Sequence, residues 1–200
     1  MRNAQLVLSV LVGFLALVGI GATIRFMLVG GANEGFEQYP NTTLAHVAPG
    51  LLYLVLAPLQ FIKSIRSKYP VFHRWSGRLL VVVSLFLGAS AVFIGVVFPY
   101  SGVPEQIVIA IFGTFFLAAA VKGFFCARNK NFRAHREWMM RSFAIGLAIV
   151  TMRLIFVPIL IMIGSPTMED AQFWSIASFT LAFILHGIVA ELWIRRTRAA

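Results

Sequence analysis

Aspartate and cysteine are what this sequence has least of, with one of each. Asp and Glu together number 7 in 200 residues, and there is one cysteine, Cys126. A lone cysteine excludes an intramolecular disulfide framework. There is no Cys-x-x-Cys, no His-Glu-x-x-His, no Gly-x-Ser-x-Gly and no phosphate-cradling glycine-rich motif. The usual signatures of metal sites, nucleophile elbows and P-loops are therefore absent, and no metal-ligand set stands out. Charge of either sign is scarce, at 12% of residues against ~25% in soluble domains.

What the chain has in excess is apolar surface. Hydrophobic residues make up 60%, where soluble domains have ~45–50%, and the mean hydropathy is +0.87. Six apolar stretches are separable, at 6–29, 43–62, 79–98, 106–125, 142–163 and 173–194. Each is close to the ~20 residues that carry a helix across ~30 Å of hydrocarbon. Runs such as Leu79-Leu80-Val81-Val82-Val83 do not alternate in polarity, as strands of a membrane barrel would. The first stretch is too long for a signal peptide, whose apolar region runs ~7–15 residues, and it reads as a retained span. The expectation is an all-α, multi-pass transmembrane helical bundle of six spans, forming a single membrane domain over 1–200.

The basic residues set an orientation. Lys and Arg crowd 63–78, 122–141 and the tail at Arg195, Arg196 and Arg198. The intervening segments 31–41, 99–104 and 165–170 have neither; they hold Glu34, Glu37, Glu169 and Asp170, with Glu105 at an edge. The positive-inside rule then puts both termini and the basic loops in the cytoplasm and the protein in the inner or plasma membrane. The net charge of +10 on a soluble domain would suggest nucleic acid. Here topology and contact with anionic lipid account for it, so the implied partner is the bilayer and not nucleic acid. Trp75, Trp138 and Trp193 fall at the inner interface and Trp174 at the outer one, as an aromatic belt should. A homo-oligomer stays open.

The two inner basic segments resemble each other. One carries His73-Arg74-Trp75-Ser76-Gly77-Arg78, the other His135-Arg136-Glu137-Trp138-Met139-Met140-Arg141, each at the start of a span. This suggests a tandem hairpin repeat of spans two-plus-three and four-plus-five, with a pseudo-two-fold axis along the membrane normal. Spans two to five would then form a central four-helix core, with spans one and six outside it. The competing explanation is that any inner loop attracts Arg and Trp.

Together with Leu59-Gln60-Phe61, Thr151-Met152-Arg153-Leu154 and His46 at the mouth of the second span, these motifs resemble the prokaryotic family of predicted membrane proteins catalogued as domain of unknown function 2306. The resemblance runs over roughly 43–160 and rests on Gln60, Arg74, Gly77, Arg78, Arg136, Trp138 and Arg141 in combination. It implies a multi-pass membrane domain and no settled activity.

Four histidines and two intramembrane arginines are the candidate functional groups. Facing histidines on membrane helices hold b-type haem. His186, in the inner part of span six, could pair with His135 or His73, whereas His46 lies at the outer face with no histidine at its depth. Each also has a structural reading: His73 and His135 as interfacial caps, His186 as a satisfied buried hydrogen bond. Arg25 and Arg153 lie within spans, where charge is costly. With His46 they could line an outward-facing pocket for an anionic group, Arg25 alternatively snorkelling to the interface. Glu191 is expected to pair with a neighbouring Arg. Two functional classes stay open: a haem-binding or quinone-linked redox protein, and a non-redox small-solute or anion transporter or accessory and assembly protein. No enzymatic activity is assigned by the sequence.

Overall fold

The computed structural model describes residues 2–29 and 39–198. These residues form helices and no strand: α1 (Arg2–Val29), α2 (Pro40–Phe61), α3 (Lys63–Lys68), α4 (Pro70–Val97), α5 (Val103–Arg128), α6 (Phe132–Ile163) and α7 (Met168–Arg198). All but the short α3 are long and apolar enough to cross a membrane, giving six candidate spans. The segment with Glu34 and Glu37, expected to be an outer loop, lies outside the described residues.

The helices outrun the apolar stretches. α4, α6 and α7 have 28, 32 and 31 residues, or roughly 42–48 Å at 1.5 Å per residue, more than a hydrocarbon core needs. In α4 and α6 the excess lies at the basic end. The sequence pattern makes the motifs around His73 and His135 loop leading into a span; in the structure they are the first turns of α4 and α6. Hydropathy registers where lipid begins, whereas a helix begins where its first amides find acceptors or need none. Pro70 opens α4 at a position where a missing N–H costs nothing. At α6, the Asn131 carboxamide oxygen accepts from the Ala134 amide at 3.1 Å, a side-chain N-cap. Only residues 129–131 separate α5 from α6, and the reversal is made with Lys130 in the left-handed region, at φ 58°.

The chain divides into two compact units, Met1–Leu87 and Gly88–Ala200, the boundary falling inside α4. In the first, α1 packs along α2, and Leu15, Ala16, Tyr53, Leu54 and Ala57 are buried. α2 carries Pro49 and Pro58 within its length, each removing one backbone hydrogen bond from the helix. It stops at Ile62, whose extended backbone turns the chain into α3.

In the second unit α6 packs against both α5 and α7. Ala119, Ala120, Ala148 and Ala182 have no exposed surface; such small residues let membrane helices approach closely. Phe112 of α5 and Phe183 of α7 stack with centroids 4.8 Å apart. The C-terminal half of α4 closes on α5 through glycine: a Cβ added at Gly95 would sit 2.5 Å from Ile109 Cδ1. Span six is held along span five in this unit. α7 is one of its buried elements, with Ala182, Ala190 and Ile194 in the interior. Its buried side also includes Ala171, Ser175 and Ser178. Alanine and serine add little to the apolar pattern of a span, so a packing face made of them gives no signal in the sequence.

Candidate functional site

The motif residues build the basic end of each unit. In the first, Gln60 at the end of α2 donates from Nε2 to Ser76 Oγ on α4 at 2.8 Å, and Ser76 donates to the Phe72 carbonyl at 2.6 Å. Gly77 sits beneath this link; a Cβ there would lie 3.2 Å from Gln60 Oε1. One turn on, the Arg78 guanidinium lies over the Trp75 ring at 4.8 Å. Arg74 is exposed and His73 half-buried.

In the second unit the corresponding end is tied across three helices. His135 Nδ1 meets the Gly123 carbonyl of α5 at 2.8 Å. Trp138 takes two cations, Lys122 of α5 at 4.3 Å and Arg141 at 4.7 Å from the ring centre. Arg141 in turn holds Glu191 of α7 through a fork, Nε to Oε1 at 2.5 Å and Nη2 to Oε2 at 3.1 Å. Glu191 thus has the arginine partner that the sequence anticipated. Glu137 pairs with Arg198 of α7 and lies 3.6 Å from Arg133. Arg136 is exposed. Trp75 with Arg78 and Trp138 with Arg141 share one i, i+3 cation–π geometry, which a match of adjacent letters does not reveal.

The histidines fall at different levels. His186 Nε2 is 2.8 Å from Thr151 Oγ1, three residues past the midpoint of α7 toward its C-terminal end. His135 is sixteen residues before Thr151 on α6, a separation of roughly 24 Å along the axis. The pair His186 and His135 is therefore not brought together. His73 and His46 lie in the first unit, each half-buried on its helix.

The intramembrane arginines also divide. Arg25 is exposed on α1, four residues before the helix end at Val29, a depth from which its side chain reaches an interface. Arg153 is exposed on α6, ten residues from the nearer end at Ile163. Neither makes a hydrogen bond or ion pair with a described residue. Two acids of the second unit are taken up locally. Glu105 is buried at the start of α5 and accepts from the Ser101 amide at 2.5 Å. Asp170 forms a capping box with Thr167 at the start of α7, its Oδ2 accepting from the Thr167 hydroxyl at 2.7 Å and its amide donating back at 3.1 Å. Arg25 and His46 belong to the first unit and Arg153 to the second.

Sequence reasoning missed Lys122, Thr151 and the Glu137–Arg198 pair as parts of these clusters. Lys122 stood in a basic segment among many; nothing in its neighbours marks the indole it covers.

A family model described as a predicted membrane protein, domain of unknown function 2306, matches residues 43–194. No curated protein and no solved structure matches the chain.

Proposed function

We propose, from the premise that this chain belongs to the predicted-membrane-protein family, domain of unknown function 2306, that it is a non-redox membrane protein that binds a small anion, with Arg153 as the binding charge. The carrying observation is the state of Arg153: a guanidinium ten residues inside the nearer end of a membrane-length helix, with no hydrogen-bond or ion-pair partner among the described residues. A charge at the bilayer centre costs at least ~2.5–3.5 kcal/mol. It is retained where something compensates it, and an anionic ligand does so directly through charge-assisted, bidentate hydrogen bonds. Glu105 is taken up by the Ser101 amide and Asp170 by its capping box with Thr167, which supports this reading, because it leaves the guanidinium available. Pro158, one turn further along α6, frees a backbone carbonyl near the same level. Such breaks in regularity are tolerated where a polar cavity or ligand repairs them. The class is that of anion transporters and their accessory proteins. In this reading both termini and the basic helix ends are cytoplasmic and the host is a cell membrane.

The test is a thermal-shift screen of detergent-purified protein against chloride, phosphate, sulfate and a series of mono- and dicarboxylates. One or more anions should raise Tm. Arg153→Ala should weaken that anion roughly 10–100-fold, the ~1.5–3 kcal/mol of a hydrogen bond to a charged group, and Arg153→Lys should restore part of it. A wild-type protein indifferent to all of them, or an unaltered response in Arg153→Ala, rejects the reading.

One observation favours the redox class as the second reading. A haem-ligating histidine characteristically donates its other ring N–H to a backbone carbonyl, and His135 Nδ1 is so placed against Gly123. That would leave Nε2 for haem b, with its second ligand to be found outside His186. An absorption spectrum before and after dithionite decides it. A Soret band and a reduced α-band lost in His135→Ala would establish haem; a colourless protein from haem-replete cells removes it.

A further inference from the structure

We propose that the basic end of the second unit is a binding site for anionic phospholipid, with Lys122 and Arg195 as the residues that take the headgroup phosphate. Nine cationic side chains and two carboxylates lie between 122 and 141 and between 191 and 198. Both carboxylates are used: Glu191 by Arg141 and Glu137 by Arg198 and Arg133. The remaining cations, Lys122, Arg128, Lys130, Arg136, Arg195 and Arg196, are exposed and make no ion pair with a described residue. Internal pairing has therefore run out of acid, and the excess positive charge faces outward at the ends of lipid-length helices, at the depth of phosphates.

One of these cations is held in place, and a second stands one turn from the Arg141–Glu191 fork. Lys122 is drawn over the Trp138 ring at 4.3 Å, which fixes its ammonium beside an interfacial indole. Arg141, on the same ring, points into Glu191, and Arg195 stands one turn after Glu191 on α7. Lys122, Trp138, Arg141 and Glu191 thus form one polar row over α5, α6 and α7, and Arg195, exposed one turn further along α7 and acting on Glu191 only through its charge, extends it. A phosphodiester accepts from both ammonium and guanidinium donors, while its acyl chains lie along the exposed apolar surface of the helices below. A zwitterionic lipid carries its own cation and gains less, so the site selects for net negative headgroups. Arg128, the last residue of α5, and Lys130, on the turn to α6, carry equal charge with no such anchoring. They provide the control for diffuse surface attraction, which salt screens.

The experiment uses the full chain in nanodiscs of phosphatidylcholine with or without phosphatidylglycerol, read by Tm and by native mass spectrometry of retained lipid. Phosphatidylglycerol should raise Tm and remain bound through detergent release. The double variant Lys122→Gln with Arg195→Gln should retain it on the order of fivefold less per charge removed. Arg128→Gln with Lys130→Gln, equal in charge, should keep most of the effect, and each variant's Tm in phosphatidylcholine alone reports any loss of fold. Equal losses in the two double variants would mean diffuse attraction and overturn the site. So would an equal response to both lipids, or reproduction of the shift by free glycerol phosphate at the same concentration.

Discussion

Arg141 and Glu191 illustrate what a single pair contributes at a membrane interface. The fork is geometrically favourable, but its partners are unequally covered: the Arg141 side chain keeps 14% of its surface and Glu191 42%. Exposure weakens the pair toward the ~0–1 kcal/mol of surface ion pairs, and its asymmetry makes the two truncations unequal. Glu191→Ala leaves the covered guanidinium without its acceptor, whereas Arg141→Ala leaves a carboxylate that water can reach but also strips a cation from Trp138. Glu191→Ala should destabilise by about 1–3 kcal/mol, the cost of a covered donor left without its acceptor, and Arg141→Ala by less, about 1 kcal/mol, and a double-mutant cycle in mixed-micelle unfolding should return a coupling of about 1 kcal/mol. A coupling of zero would show that the fork is ornamental. Residue identity foretold part of this. A glutamate near several arginines must find one, but which arginine depends on the angle at which α7 crosses α6. His186 is similar: being polar within a span required a partner, and only packing made that partner Thr151.

Among the helices, local chemistry decides where each begins, and close approach decides how they meet. Asn131, Pro70 and the Thr167–Asp170 box are visible in the sequence as start signals. Hydropathy nevertheless drew the starts of spans three and five well inside the helices that carry them, because lipid and helix do not end together. Gly95 and Gly187 are both helical glycines with opposite surroundings. At Gly95 the side chain of Ile109 leaves no room, whereas nothing lies within 4 Å of a Cβ at Gly187. Gly95→Leu should push α4 from α5 and cost ~1–3 kcal/mol, as overpacking does. Gly187→Leu should be close to neutral. Unfolding of the two variants in parallel checks this, and equal stabilities would mean that the α4–α5 contact contributes little. In the sequence the two glycines look alike.

For the whole molecule, the distribution of charge is the property with the longest reach. Cys126 is the one cysteine, so a Cys126→Ser background permits single-cysteine mapping. Cysteines at Arg66 and Lys130 should be labelled from one side of the membrane, and cysteines at Ser101 and Ser165 from the other. Labelling of Lys130 and Ser165 from the same side would break the even threading on which the orientation depends. The helical, six-span character of the chain and its family could be read from the letters, because both follow from quantities that need no neighbour: run length against bilayer thickness, and motif residues in order. Packing was needed to make span six a buried partner of span five, to bring His186 to Thr151 rather than His135, and to seat Lys122 and Arg141 on one indole. Those outcomes depend on crossing angles and on which small residues allow two backbones to touch, and these are relations between segments that no single stretch of residues encodes.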